Sequence, residues 1–413
     1  MAVLLAGVPA RANDDFFPIL PWDGLRGWEQ VDGFTDPLES VAECNFTVAG
    51  FVQPDQIARC EKLGLKAIIG RPTKQAADRD WFGKSSEDID AAIKRRVEEA
   101  GSSDTVLGYF ILDEPGVPMF PTLTKAVAAV RKYAPGKLAY INLFPGYATI
   151  GAPDKSQLGT ESFAEYLDQF VTEVKPGILS YDNYKVFTSD NLQSRDQGAS
   201  YFRDLMEVRR AAKEHNLPFW NTVCSNQIRP YTTIPSPANL LLQAYTTLAA
   251  GGRGIAWYKY FQGGYVYAPV GNDGRRTDAW FYLREVNRQV KVIGPMMNRL
   301  NSTGVYFTDP APADGLPKLP AKIITRVESR TSIKGFSDST PSIMIGEFEA
   351  KDGSDYVMLV NLSLEKSANI ILHTGKEYAK REVISAADGA RSPLDETNGH
   401  WLVPGAGVLV VLK

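Results

Sequence analysis

The chain has 413 residues, 44% of them hydrophobic, so it can bury a large core and is long enough for more than one domain. Its formal net charge is only -3, without long runs of like charge, which argues against nucleic acid or an anionic membrane as a partner. A neutral or small-molecule partner is therefore expected.

The cysteines and histidines are few and scattered. Three of each occur, and none of the histidines has metal-ligand spacing, so we expect no metal, no other cofactor and no disulfide framework. A single bridge between Cys44 and Cys60 remains open, although both lie in patterns typical of a core.

Residues 1–12 form a short apolar run that closes on Ala10-Arg11-Ala12, the A-x-A form of a signal-peptidase site. We interpret this run as the remnant of a signal peptide, although it lacks a basic region, and expect a secreted or periplasmic protein. A disordered apolar tail is the alternative. No later stretch reaches the roughly 20 apolar residues of a membrane span.

Across residues 13–300, eight apolar, strand-like runs alternate with helix-like segments. The runs are Phe16-Asp23, Asn45-Val52, Gly64-Arg71, Val106-Glu114, Lys137-Phe144, Gly177-Tyr184, Pro218-Ser225 and Gly254-Phe261. Eight such units predict parallel pairing in a (β/α)8, or TIM, barrel. An open doubly wound sheet is the competitor, but no glycine-rich phosphate loop follows the first strand.

The pattern changes over residues 301–413, where short and partly alternating runs are separated by Gly, Asp, Ser and Pro. This pattern is typical of a small antiparallel β-sandwich. The predicted fold class is therefore α/β, with a (β/α)8 barrel followed by a small C-terminal β-sandwich.

The fourth run ends in Asp113 and Glu114, followed by Pro115-Gly116. Parallel barrels place their chemistry at the C-terminal ends of the strands, so these two acids are the first catalytic candidates. A solvated acidic turn that caps the next helix is the alternative.

The other strand ends carry acids, amides and aromatic residues. The predicted substrate-binding residues are Trp22, Asp23, Arg71, Asn142, Tyr181, Tyr184, Asn221, Trp257, Tyr258 and Tyr260. A sugar offers hydroxyls to carboxylates and amides and a C–H face to aromatic rings, so this set predicts a carbohydrate substrate. We expect Trp257 to be the platform on which the sugar stacks. For any one aromatic residue, the alternative is that it fills the barrel or seals its rim.

Five segments resemble the retaining (β/α)8 glycoside hydrolases, in particular bacterial family-42-like β-galactosidases. They are Gly108-Tyr-Phe-Ile-Leu-Asp-Glu-Pro-Gly116, Leu138-Ala-Tyr-Ile-Asn-Leu-Phe-Pro-Gly-Tyr147, Leu179-Ser-Tyr-Asp-Asn-Tyr184, Pro218-Phe-Trp-Asn221 and Gly254-Ile-Ala-Trp-Tyr-Lys-Tyr260. The resemblance spans residues 14–300 and implies that Glu114, at the end of strand four, is the acid/base glutamate. In that superfamily a nucleophilic glutamate ends strand seven, whereas residues 218–226 of this chain contain no carboxylate.

Glycosidic cleavage ordinarily uses two carboxyl groups, so a partner for Glu114 is needed. Asp182, at the end of strand six, is the first candidate. Asp113 is the second, because adjacent Asp-Glu pairs resemble those of substrate-assisted hexosaminidases, in which the substrate's acetamido group attacks. Strand alternation opposes inward positions for both Asp113 and Glu114, unless the turn at Pro115 twists Glu114 over the mouth.

Three functions compete at this stage. The first is a glycoside hydrolase that cleaves O-glycosidic bonds of an oligo- or polysaccharide by carboxylate acid/base catalysis. The second is a noncatalytic carbohydrate-binding barrel that lacks the strand-seven nucleophile. The third is another acid/base enzyme on the same fold, such as a lyase or epimerase.

Overall fold

The computed structural model describes residues 15–22, 36–71, 83–187, 198–228, 233–331 and 340–413. The predicted signal peptide, residues 1–12, and the predicted binding residue Asp23 lie outside the described residues.

Eight parallel strands form one sheet in the order β1-β8-β7-β6-β5-β4-β3-β2. These strands are β1 (Ile19–Pro21), β2 (Val48–Val52), β3 (Lys66–Ile69), β4 (Val106–Asp113), β5 (Leu138–Leu143), β6 (Leu179–Asp182), β7 (Phe219–Cys224) and β8 (Gly254–Tyr258). The Thr47 N–H donates to the Ile19 carbonyl at 3.1 Å, which brings β1 and β2 together and closes the barrel. The predicted (β/α)8 barrel is confirmed.

Eight α-helices lie between or after these strands in the described parts of the chain. They are α1 (Pro37–Glu43), α2 (Ile57–Lys62), α3 (Ser86–Ala100), α4 (Phe120–Tyr133), α5 (Phe163–Val174), α6 (Gly198–Glu214), α7 (Pro237–Ala249) and α8 (Asp278–Asn298). Local sequence sets where several begin. The side chains of Ser85, Ser162 and Ser236 each accept a backbone N–H of the first turn, at the start of α3, α5 and α7.

Alternation along the strands separates the barrel interior from its outer wall. The buried interior residues occupy even-numbered positions and are Leu20, Val48, Ile68, Phe110, Tyr140, Ile178, Trp220 and Ala256. Odd-numbered neighbours such as Ile19, Tyr181 and Trp257 pack outward in the larger core shared with the helices. This parity decides which strand-end side chains can reach the mouth of the barrel.

The C-terminal strands form two antiparallel sheets, of six strands (β15-β14-β17-β12-β11-β9) and of three (β10-β13-β16). Their bounds are β9 (Leu300–Phe307), β10 (Ile324–Arg330), β11 (Ile343–Ala350), β12 (Asp355–Asn361), β13 (Ala368–Thr374), β14 (Arg381–Ile384), β15 (Arg391–Pro393), β16 (His400–Leu402) and β17 (Gly407–Leu412). The predicted β-sandwich is confirmed. A Cβ on Gly346 would lie 2.2 Å from the Ala249 carbonyl oxygen, so glycine allows the sandwich to approach α7 closely.

Cys44, Cys60 and Cys224 are free and buried, so the Cys44 to Cys60 bridge is absent. Within the described ranges, no helix combines the length and apolarity that a membrane crossing needs. The same ranges contain no group of three or more His, Cys, Asp or Glu side chains placed to hold a metal ion.

Candidate active site

A β-bulge in β4 turns Asp113 into the barrel. Phe110 pairs with Tyr140, but Leu112 pairs with Ile141 and Asp113 with Asn142, so the register shifts by one residue after Phe110. In a regular strand Leu112 would share the inward face of Phe110. The bulge gives that face to Asp113 instead, opposite Asn142.

Glu114 follows directly and is also directed over the mouth. Its backbone is left-handed, with φ of 47°, and its N–H donates to the Asn142 carbonyl at 2.8 Å. A left-handed backbone costs a residue such as glutamate roughly 1–2 kcal/mol. The distortion brings the Glu114 carboxyl next to the carboxyl of Asp182, which lowers the Glu114 pKa and partly offsets the effect of burial. Adjacent acids on one strand thus both face the mouth, by a bulge and a turn that strand alternation does not predict.

Asn142 holds two of these carboxyls together. Its side-chain N–H groups donate to Asp182 at 2.7 Å and to Asp113 at 3.3 Å. Its side-chain oxygen Oδ1 accepts from the hydroxyls of Ser180 at 2.9 Å and Thr222 at 3.0 Å. Asn142 is fully buried and satisfied by protein groups, so it positions the carboxyls and does not offer its amide to a ligand.

The three carboxyls, here called the acid cluster (Asp113, Glu114 and Asp182), all hold protons more tightly than usual. Burial raises the pKa of Asp113 to about 6, although Asn142 opposes the rise. Burial and then the charge of Asp113 raise the pKa of Asp182 well above its ordinary value. Burial also raises the pKa of Glu114. Neighbouring carboxyls disfavour one another's ionisation, so the cluster keeps a proton to a higher pH than isolated carboxyls do.

Aromatic residues line the mouth beside the acid cluster. Tyr184 lies beside Asp182 and stacks on Tyr258, with ring centroids 5.1 Å apart. The Tyr258 hydroxyl bonds in turn to the hydroxyl of Tyr265. Trp22 lies edge-on to Phe51 at the end of β1, with centroids 4.9 Å apart. The structure therefore places Tyr184, Tyr258 and Trp22 at the mouth, as predicted.

Arg71 lies at the end of the neighbouring strand β3. Its guanidinium carbon is 5.1 Å from the centroid of the Phe110 ring, and its charge lowers the pKa of Asp113. A cation, an aromatic wall and the acid cluster are therefore brought together at one end of the barrel.

Trp257 is not at this mouth. It is fully buried on the outward face of β8, where its ring N–H donates to the side chain of Asn287 in α8 at 2.8 Å. The expected sugar platform is wrong, because β8 directs Ala256 and Tyr258 inward and Trp257 outward.

Three further predicted binding residues also point away from the mouth. Tyr181 is buried outside the barrel, and its hydroxyl accepts from Asn183. Asn221 donates to Thr247 of α7 at 2.9 Å. Tyr260, beyond the end of β8, accepts from the ring N–H of Trp280 at 2.7 Å in the helical layer. Tyr181 and Asn221 face outward by strand alternation, whereas Tyr260 turns away beyond the end of β8, so none of the three can touch a ligand at the mouth.

Tyr147 was missed by the sequence analysis. It lies in the loop after β5 and is 41% exposed, and the Lys185 Nζ lies 4.6 Å from its ring centroid. Burial and the negative charge of Asp182 raise the pKa of its hydroxyl, which places it near the acid cluster. Its place in the Leu138 to Tyr147 motif is the available signal, although it lies in the loop beyond the strand end.

Strand β7 contributes no acid. Its residues on the barrel's inner face are Trp220, Thr222 and Cys224, and Thr222 bonds to Asn142. The acid cluster is therefore supplied by β4 and β6 alone.

Comparison with solved structures identifies the fold. The chain is similar to a catalytic mutant of a family-42 β-galactosidase from G. stearothermophilus, with a TM-score of 0.57 and 10% identity over 96% of this chain and 98% of that one. It is also similar to a structure described as a glycoside hydrolase, with a TM-score of 0.55 and 11% identity over 96% and 93% of the two chains.

A β-galactosidase from the psychrophilic Marinomonas ef1 matches with a TM-score of 0.50 and 12% identity over 70% of this chain, which spans 63% of the length of that enzyme. No family profile and no curated protein matches the sequence. The chain thus shares the (β/α)8 barrel fold of these solved glycoside hydrolases, and the fold that the sequence resemblance implies is confirmed.

Proposed function

We propose that this protein is a glycoside hydrolase that cleaves O-glycosidic bonds of an oligo- or polysaccharide, with Glu114 as the general acid. The observation that carries the proposal is the position of Glu114, which the left-handed turn after β4 aims over an aromatic-lined mouth and into contact with Asp182. A general acid must keep its proton at a pH where an ordinary carboxyl has lost it, and the raised pKa of Glu114 favours this. The similarity to glycoside hydrolases supports the same class.

Asp182 is the first candidate for the partner of Glu114. In this role, ionised Asp182 attacks the anomeric carbon or activates a water, while Glu114 gives its proton to the departing oxygen. Asn142 donates to the Asp182 carboxyl at 2.7 Å, and Asn142 and Tyr184 both lower the pKa of Asp182 against the effect of burial.

The position of Asp113 favours a second candidate mechanism. The bulge in β4 turns Asp113 toward the mouth next to Glu114, as in the adjacent Asp-Glu pairs of substrate-assisted hexosaminidases. The second candidate is substrate-assisted cleavage of a 2-acetamido sugar, in which the acetamido oxygen attacks and Asp113 accepts its N–H.

A panel of aryl glycosides tests the proposal. We expect the wild-type protein to hydrolyse at least one of them and Glu114→Gln to lose on the order of 10²-fold or more in rate, since general acid catalysis contributes that much. Selective hydrolysis of 2-acetamido glycosides over matched 2-hydroxy glycosides would assign the substrate-assisted mechanism. Saturable sugar binding without turnover would instead support the noncatalytic barrel.

A further inference from the structure

A second cavity, of about 310 Å³, lies at the end of the barrel opposite the acid cluster. It is bounded by the C-terminal half of α6, the start of β7, the turn before β8 and the first residues of β9. It therefore sits between the barrel and the C-terminal β-sandwich, far along the strands from the candidate active site.

Arg209 of α6 lines this cavity and is only 5% exposed. The structure gives its guanidinium no hydrogen-bond acceptor and no carboxylate within salt-bridge distance among the described residues. The next residue, Arg210, differs completely: it bonds to Asp168, Glu207 and Glu214. Burial lowers the pKa of Arg209 to about 10, as expected for a cation removed from water without compensation.

The other groups around the cavity increase this positive charge. Lys213 and Arg253 also line it, and its lining includes no Asp or Glu from any described part of the chain. Lys213 donates to the Ser302 carbonyl at 2.9 Å, while the Ser302 hydroxyl oxygen is buried and has no partner. Two of the lining groups, the Arg209 guanidinium and the Ser302 hydroxyl, thus lack the hydrogen bonds that buried polar groups normally form.

We propose that this cavity binds the oxyanion of a small acidic molecule, a phosphate or a carboxylate, with Arg209 as its principal ligand. A guanidinium presents paired N–H donors that match the oxygens of either anion. The Lys213 ammonium adds donors at the same cavity. The volume exceeds that of a lone inorganic ion and falls within the usual range for small-molecule pockets, so the anionic group belongs to a larger molecule.

This proposal does not rest on the proposed glycosidase activity. It is therefore tested on the full-length Glu114→Gln protein, which lacks the proposed general acid. Inorganic phosphate and glucuronate serve as probes, each titrated by calorimetry at constant ionic strength against chloride. We expect saturable binding of at least one probe and a rise in Tm of about 2 °C or more at saturation. Phosphate and glucuronate distinguish the two sources of the oxyanion.

Arg209→Met should weaken that binding at least about tenfold. The variant should fold, because replacing an unpaired buried cation by an apolar side chain of similar length is often neutral or stabilising. Lys94→Met on α3, where Lys94 forms an exposed pair with Glu98, is the control and should bind as the parent does. If Arg209→Met does not fold, Lys213→Met, at an exposed position, should show the weakened binding. Failure of both probes to bind, or unchanged affinity in the folded Arg209 or Lys213 variant, would overturn the proposal.

Discussion

The Glu114 carboxyl lies next to the Asp182 carboxyl, although β4 and β6 are separated by β5 in the barrel wall. Asn142 of β5 bridges the gap, because its amide donates to Asp182 while the backbone N–H of Glu114 donates to the Asn142 carbonyl. The acid cluster is therefore a single unit supported by three adjacent strands. Its protons belong to the cluster and not to any one residue.

The roles of Asp182 and Asp113 can be separated by substitution. If Asp182 is the nucleophile or base, Asp182→Ala abolishes turnover and azide restores it, with an inverted product when the role is nucleophilic. If the substrate supplies the nucleophile, Asp113→Ala loses activity selectively on 2-acetamido glycosides and azide does not restore it. Product stereochemistry by NMR distinguishes the two outcomes, and equal activity in both variants would exclude both roles.

Tyr147 should contribute to binding without supporting the fold. Its ring is half exposed beside the acid cluster, so Tyr147→Ala should raise KM and weaken ligand binding by about 1–3 kcal/mol, if base stacking on aromatics is a guide to sugar stacking. Tyr181→Phe is a suitable control, because Tyr181 is buried outside the barrel. Unchanged KM in Tyr147→Ala would remove Tyr147 from the binding surface.

Trp257 should behave in the opposite way. Truncation of this buried ring, which also leaves the Asn287 amide oxygen without its donor, should cost roughly 3–5 kcal/mol of unfolding free energy. Ligand affinity, measured below the melting temperature of the variant, should remain that of the wild type. Near-native stability with weakened sugar binding in Trp257→Ala would restore Trp257 as a platform.

Asp204 should make the protein less stable as pH rises. This buried carboxyl of α6 accepts from the Gly146 N–H, and burial raises its pKa from 3.8 to about 7. The folded state therefore binds the proton more tightly than the unfolded state. The contribution of Asp204 to the free energy of unfolding, on the order of 4 kcal/mol, is fully present below about pH 4 and is lost as pH rises through about 7.

The measurement is urea denaturation at pH 5 and pH 8 of the wild type and Asp204→Asn. The loss of stability between the two pH values should be smaller in the variant, because Asp204 no longer titrates. Some loss should remain, because Asp113 and Asp182 are still present and their pKa values are also raised. An identical loss in both proteins would show that Asp204 does not titrate in this way.

The order of strands and helices was predictable because it depends on apolar runs and turn residues that are local in the sequence. The acids at the end of β4 were predictable for the same reason. Inward or outward direction was harder, since it changes with a shift of one residue. Trp257 and Asn221 were placed at the mouth because they end strands, but alternation turns both outward.

The inward position of Asp113 and the turn of Glu114 could not be predicted from alternation. The bulge between Phe110 and Leu112 depends on how β4 pairs with β5, which no local pattern of β4 specifies. The contact between Glu114 and Asp182 depends on the whole barrel. The same holds for the cavity at Arg209, whose lining comes from three separate segments of the chain.

The effect of the leaving group on kcat/KM of Glu114→Gln is the most direct test of Glu114 as the general acid. A general acid matters most when the departing oxygen is a poor leaving group and little when it leaves without a proton. We expect kcat/KM of Glu114→Gln to fall by about 10²-fold or more for alkyl glycosides but only slightly for dinitrophenyl glycosides of the same sugar. Equal losses on both substrates, or wild-type rates on both, would contradict the assignment of Glu114 as the general acid.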